Sequence, residues 1–361
     1  MRQAQRELEA SVKFGVFLPN GSNGWVISEA LEPYVPTYEH LKAIVFEAEK
    51  QGLSFALPMI KFKGFGGTTG FWDHCMEPFA LVGALAAVTK KLDFIPTVAL
   101  LALHPTYTAR MMATLCNISR GRVGLNVVTG WNSPEYEQMD LWPGSEFYET
   151  RYEFASEYLS ILNDLWTTGR CDRKSKFWNL EDCHCLPMPD YPIPIVSAGQ
   201  SPAGIEFCDS YADHRLVIGQ PKVLEVLEKR KKAGVSSKYG TYILLHMIVE
   251  KTDQKARNVG EEIIRKADKI AISNMLSSAE MDTNKGGSSE GVRISLSKSL
   301  EEGNSAFTAI PVVHGSPTTV AMKLDDMVKK TGVDGFMFSW NDFETGVRTF
   351  GQEILPRLNC V

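Results

Sequence analysis

The chain has 361 residues, 44% of them hydrophobic and 22% charged, a balance that supports a sizeable core and excludes disorder over most of its length. A formal charge of −5 supplies no broad cationic footprint for a phosphate backbone, so no nucleic-acid partner is expected. No apolar run approaches the roughly 20 residues that span a bilayer, and the first residues lack the apolar centre of a secretion signal; a cytoplasmic protein with no membrane association is the expectation.

Along the chain, short apolar and β-branched runs alternate with stretches of helical periodicity. The runs predict strands at Lys13–Leu18, Ser54–Pro58, Leu92–Leu100, Arg122–Val128, Ile193–Ser197, His214–Ile218, Tyr242–Val249 and Gly335–Ser339. Between and after them, helices are predicted at Thr37–Gln51, Glu77–Lys90, Pro105–Ile118, Tyr148–Thr167, Pro202–Tyr211, Pro221–Ala233, Asp253–Ala267, Ser316–Lys330 and Asp342–Leu355. Eight strands with intervening helices favour a closed parallel barrel, a (β/α)₈ TIM barrel formed by the whole chain as one domain, over an open sheet. Two stretches interrupt the alternation: Thr129–Phe147, rich in aromatics and acids, and Asn274–Pro311, rich in Ser, Gly, Asn, Glu and Lys. The second reads as a mobile lid or a disordered insertion, because its composition buries too little apolar surface to offset the entropy of ordering.

In such a barrel the site forms at the carboxyl ends of the strands. After the second strand, Gly64, Gly66 and Gly67 would let backbone approach a flat ligand beside Lys61, or else form an ordinary surface turn. Asn126 lies inside the apolar fourth strand, where a buried amide needs partners; it either bonds local backbone or faces a ligand. Thr97 is a weaker case of the same kind, since threonine suits strands intrinsically. The fifth strand runs into Ala198-Gly199-Gln200-Ser201-Pro202, with Ser201 as an N-cap and Pro202 at the first helical position. Free N–H groups there make an anion cradle. Arg151, early in a predicted helix, opposes the helix dipole unless it serves a ligand or an ion pair. The seven cysteines are scattered and odd in number, which suits a reducing compartment. Cys183-His184-Cys185 is a poor match to a metal site.

Several of these stretches together resemble the Rut-type pyrimidine monooxygenases of the bacterial-luciferase-like superfamily. They are Phe17-Leu18-Pro19-Asn20-Gly21-Ser22-Asn23-Gly24-Trp25, Met59-Ile60-Lys61, Phe71-Trp72-Asp73-His74, Asn126 to Trp131, Pro134 to Met139, Trp142-Pro143-Gly144, Arg151-Tyr152 and Ala198 to Ser201, in the same order over nearly the whole chain. The resemblance implies an FMN enzyme whose cofactor arrives reduced, as FMNH₂, from a separate NADH-dependent reductase. It implies that Ile60, Lys61, Asn126, Glu135, Arg151, Tyr152 and Ser201, with Gly199 beside it, hold the flavin. It further implies that Thr97 and Asn126 hold O₂ for the chemistry, and that Trp131 and Glu135 meet the substrate. The reaction implied is opening of a uracil or thymine ring at its amide through a flavin N5-(hydro)peroxide. A homo-oligomer is the family expectation.

The chain also departs from that pattern. His104 stands where proline is expected, making it a candidate substrate contact or acid–base group, or a hydrogen-bonded structural histidine. Asn132 and Ser133 replace a Gln-Lys pair, and Trp340-Asn341-Asp342 replaces a Phe-Asp-Asp-like stretch. Three alternatives stay open: a related monooxygenase acting on a sulfone, sulfonate, haloaromatic or flavin, a deazaflavin-dependent oxidoreductase, and a non-catalytic flavin-binding protein.

Overall fold

The structure, a computed structural model, describes residues 11–235, 237–282 and 305–360. Its strands are β1 (Lys13–Leu18), β2 (Phe55–Pro58), β3 (Asp93–Phe94), β4 (Thr97–Ala99), β5 (Leu125–Val128), β6 (Arg170–Lys174), β7 (Asn179–His184), β8 (Ile195–Ser197), β9 (His214–Ile218), β10 (Gly240–Val249), β11 (Val312–Gly315) and β12 (Gly335–Trp340). Its α-helices are α1 (Tyr38–Lys50), α2 (Pro78–Val88), α3 (Pro105–Ser119), α4 (Ser133–Glu137), α5 (Phe147–Thr168), α6 (Pro202–Tyr211), α7 (Pro221–Lys232), α8 (Asp253–Arg265), α9 (Lys269–Glu280), α10 (Pro317–Thr331) and α11 (Phe343–Thr349). Sequence signals start many of them: Thr37, Ser201, Thr252 and Ser316 each accept a backbone N–H from the first turn, and Pro follows at the first positions of α6 and α10.

The sheet runs β3-β2-β1-β12-β10-β9-β8-β5-β4, parallel at every step. Its two ends are halves of one predicted strand, Leu92–Leu100, which breaks at Ile95-Pro96. Pro96 has no N–H to give a ladder, but its carbonyl accepts the Asn126 N–H at 2.9 Å. The first half pairs with β2 and the second with β5, so this strand closes the ring; a bridge between Phe94 and Val123 helps seal the seam. The predicted closed (β/α)₈ barrel is the observed architecture. Helices pack outside, burying for instance Leu41, Ile44 and Val45 of α1 and Leu81, Val82 and Leu85 of α2 in one core with the strands.

Five elements were not expected. β6 and β7 form a separate antiparallel hairpin, β11 adds to the far end of β10, and α4 is a short helix in the loop after β5. The fifth, α9, corrects the reading of Asn274–Pro311. Asn274–Glu280 is helical, because Ala271, Ile272 and Met275 bury against Ile27, Phe65 and Phe71. Residues 283–304 of that stretch lie outside the described residues. All seven cysteines are free thiols, and no described helix is long and apolar enough to cross a membrane.

Candidate active site

At the carboxyl ends of the strands the barrel opens into a cavity of about 250 Å³. Residues two apart on a strand share a face, which is why Leu57 and Met59, Asn126 and Val128, and Leu216 and Ile218 all line it, with Thr97 and Leu244. Loops add an aromatic wall of Trp25, Trp72, Trp131 and Tyr136, and a polar group of Lys61, Asn132 and Glu135. A second cavity of about 210 Å³ shares Val128, Gly130, Trp131 and Ala198 with the first and is flanked by Arg151, Tyr152, Gly199 and Asp282. Together they offer a broad apolar chamber joined to a smaller polar one.

Inside the chamber, strand pairing sets Thr97 opposite Asn126. The Asn126 Nδ2 donates to Thr97 Oγ1 at 3.0 Å, and the Thr97 hydroxyl donates to the Pro58 carbonyl at 2.7 Å. A carbonyl only accepts, so the hydroxyl proton is committed to Pro58 and its lone pair receives the amide. This order of donors fixes the amide orientation, leaving Asn126 Oδ1 buried with no hydrogen-bond partner. An unpaired buried acceptor costs about 1–3 kcal/mol unless a ligand satisfies it. The sequence identified both residues but not their bond, since the strand neighbours of Asn126 along the chain offered no side-chain partner.

At the rim, Lys61 and Glu135 form a buried ion pair through Lys61 Nζ and Glu135 Oε1. Asn132 Nδ2 donates to the same carboxylate oxygen at 2.7 Å. Burial pushes the Lys61 ammonium down from its ordinary value, to about 7, with Cys75 opposing the shift. The ammonium also lies 4.4 Å from the Phe65 ring centroid and 5.2 Å from that of Trp131. A cation, its counter-ion and an amide are thus held in an aromatic enclosure.

The polar chamber lies between the ends of β5 and β8 and the buried Arg151, beside the start of α6. Ser201 Oγ accepts the Gly204 N–H at 3.2 Å. A Cβ on Gly199 would stand 2.6 Å from the Gly204 carbonyl, and one on Gly204 would stand 2.6 Å from the Tyr152 hydroxyl, so the turn requires glycine at both. Arg151, buried on α5, approaches the Gly130 carbonyl at 3.4 Å and pairs with Asp282 at 3.1 Å, with its Nε unpartnered.

Of the sequence-predicted residues, the structure brings Ile60, Lys61, Thr97, Asn126, Trp131 and Glu135 to the apolar chamber, and Arg151, Tyr152 and Gly199 to the polar one, with Ser201 beside it. His104 goes elsewhere. It caps α3, bonding Thr106 through Nδ1, and packs edge-on against Trp178 with ring centroids 5.0 Å apart. The glycine loop also has a different job from close approach to a ligand. Gly64 and Gly67 make room for Asp73 and Asp268, and Asp268 ties the loop to the start of α9 through Thr69. Sequence reasoning missed Trp25, Trp72, Tyr136, Gln200 and Thr308 as cavity residues; only their place in or next to already suspect loops hinted at them. No group of three or more metal-ligating side chains occurs among the described residues.

Comparison with known proteins agrees with this architecture. Residues 12–335 match the luciferase-like monooxygenase family. The chain is 39% identical over 358 residues to pyrimidine monooxygenase RutA of Enterobacter cloacae, spanning 97% of each protein. It is 40% identical over 356 residues to the RutA of Escherichia coli O44:H18, again spanning 97% of both. Among solved structures, a riboflavin lyase crystallised with modified FMN and riboflavin superposes with a TM-score of 0.80 at 18% identity, covering 96% of this chain and 91% of that one. The barrel, its paired chambers and these relatives together establish that the chain belongs to the luciferase-like monooxygenase family and is a relative of the Rut-type pyrimidine monooxygenases.

Proposed function

We propose that the chain is an FMNH₂- and O₂-dependent monooxygenase that oxidatively opens a small amide-containing heterocycle such as uracil or thymine, with reduced flavin supplied by a separate NADH-dependent reductase. The observation that carries this reading is Asn126 Oδ1, a buried acceptor left without a partner at the mouth of the barrel by the Asn126–Thr97–Pro58 chain of hydrogen bonds. A purely structural amide would be satisfied on both sides.

The two chambers fit FMN chemically. One is apolar and aromatic, suited to the flat ring; the other combines Arg151, Tyr152, Gly199 and the capped start of α6 at Ser201, suited to a phosphate. In this reading Ile60, Lys61, Glu135 and Asn126 hold the ring. Reduced FMN supplies the electron pair that activates O₂, so the chain needs no nucleophile of its own. Thr97 locks the Asn126 amide, and Asn126 orients the oxygen. Trp25, Trp72 and Trp131 exclude water, which strengthens every polar contact inside. Lys61 polarises the substrate carbonyl while Trp131 and Glu135 help seat the ring. A homo-oligomer in the cytoplasm completes the proposal.

The test is an anaerobic mixture of full chain, FMNH₂ and uracil, opened to O₂ and read by mass spectrometry. A ring-opened product carrying one atom from ¹⁸O₂ is the expected result. Oxygen uptake with unaltered uracil would instead point to another substrate, and no uptake would point to hydride transfer or flavin storage.

A further inference from the structure

Asn132 stands at the N-cap of α4, where an asparagine ordinarily accepts a backbone N–H, and Glu135 is spaced three residues on to complete a capping box. Neither side chain does this. Asn132 makes no cap bond, and Glu135 is turned toward Lys61, Asn132 and the Phe62 N–H. A carboxylate only accepts, so Asn132 must present its NH₂ to Glu135. The other end of the amide is thereby fixed as a carbonyl, Oδ1, which is buried without a partner in a residue that lines the chamber and is 4% exposed.

The same Glu135 oxygen receives the Lys61 ammonium. Asn132, which carries an acceptor lacking a donor, and the Lys61 cation are therefore neighbours, each donating to that one oxygen. Such a pair is complementary to the H–N–C=O edge of a lactam, whose N–H meets the acceptor while its carbonyl meets the cation. We propose that Asn132 is a specificity-determining residue, accepting a ring N–H of the substrate so that the site selects lactams with an unsubstituted nitrogen beside the carbonyl. The inference rests on the heterocycle reading above and narrows its substrate class. An N-alkylated ring leaves Oδ1 unpaired and presses a methyl against it, the situation in which a hydrogen-bonding site rejects an analogue most strongly.

The experiment compares uracil, 1-methyluracil and 3-methyluracil on the wild type, Asn132→Leu and Asn132→Asp. Binding is measured by calorimetry on the FMN-saturated full chain, alongside KM and kcat. In the wild type, at least one methylated ring is expected to bind about 10- to 100-fold more weakly than uracil, the scale of an unsatisfied buried polar group. Asn132→Leu should reduce that ratio to within about twofold, raising KM for uracil more than it lowers kcat. Asn132→Asp should keep the preference, because two adjoining carboxyls share a proton and the new side chain still offers an acceptor. FMN affinity should fall by less than the affinity for uracil in both variants, since the acceptor that changes faces substrate while Glu135 keeps its bond to Lys61. Equal binding of all three rings by the wild type, an unchanged ratio in Asn132→Leu, or a loss of FMN affinity as large as the loss for uracil would overturn this role and leave the monooxygenase reading intact. Failure to bind any of the rings, with oxygen transfer to a compound lacking an N–H, would overturn both.

Discussion

The Asp282 carboxylate lies 3.1 Å from the Arg151 guanidinium, with both side chains buried, so the cation of the polar chamber already has an anion for a partner. A phosphate seated against Arg151 has to displace that carboxylate or share the guanidinium with it. Asp282→Asn is therefore expected to tighten FMN binding by about tenfold, equivalent to about 1.4 kcal/mol, while riboflavin, which lacks the phosphate, binds as before. Quenching of flavin fluorescence measures both. Equal changes for the two flavins would move the phosphate away from Arg151.

The Asn126–Thr97 bond leads to a second expectation. Asn126→Leu removes the orphan acceptor and should lower coupled turnover by about 10²- to 10³-fold, the usual loss for one preorganised polar group at a reacting centre. Thr97→Val leaves the amide in place but removes what fixes its orientation, and a smaller loss of about tenfold is expected. The measurement is product formed per NADH consumed. Normal coupling in the Asn126 variant would remove oxygen positioning from this residue.

How far these features were visible beforehand depended on what made them. The barrel was legible because buried strands such as β1 and β10 are written as apolar runs between helical stretches. The hairpin of β6 and β7 was not, because RCDRK and NLEDCH are polar strands lying on the surface, with no apolar period to betray them. α9 hid for a related reason: its Ser and Asn residues blended into the polar stretch that follows, although Asp268 caps it clearly. At the site, Asn126 and Thr97 stood out as polar residues in apolar strands. The link from Lys61 to Glu135 could not stand out, since it joins two loops 74 residues apart that only barrel closure brings together. Asn132 differed from the family pattern in the sequence, but its role depends on a carboxylate turned away from its own helix.

The contact between Glu135 and Lys61 gives a pH signature. An ammonium persists below its pKa, and burial holds Lys61 down to about 7 in the intact chain. Its charge should therefore be lost as pH rises through about 7, and KM for the substrate should climb over that interval. With the carboxylate gone in Glu135→Gln, the same climb should be displaced to lower pH, because an opposite charge in contact favours the charged form. Steady-state KM between pH 5 and 9 distinguishes them, with Lys61→Met as the pH-independent reference. Superimposable profiles would mean that Glu135 does not hold the charge.

His246 on β10 provides a stability test away from the site. Its ring is fully buried, bonded to Ser339 at 2.9 Å and Asn341 at 2.8 Å, and burial holds it down to about 4. The unfolded chain protonates its histidine first, so this contribution is complete above about pH 6.5 and is lost as pH falls toward 4. The loss should reach about 3 kcal/mol. Denaturant titrations at pH 7.5 and 5 should show a steeper fall for the wild type than for His246→Gln, and parallel falls would assign the acid sensitivity to other groups.

Thr97 has one more consequence. Ile95 gives the last backbone N–H to β2, at the Ala56 carbonyl, and the Pro58 carbonyl is met instead by a hydroxyl from the next half-strand, which in turn takes the amide of β5. The hydroxyl that orients the Asn126 amide is thus also a stitch across the joint where the cylinder is fastened. Drift at position 97 would be felt twice, in the orientation of that amide and in the cohesion of the ring, and whatever the chamber holds, a hydroxyl there helps keep the staves together.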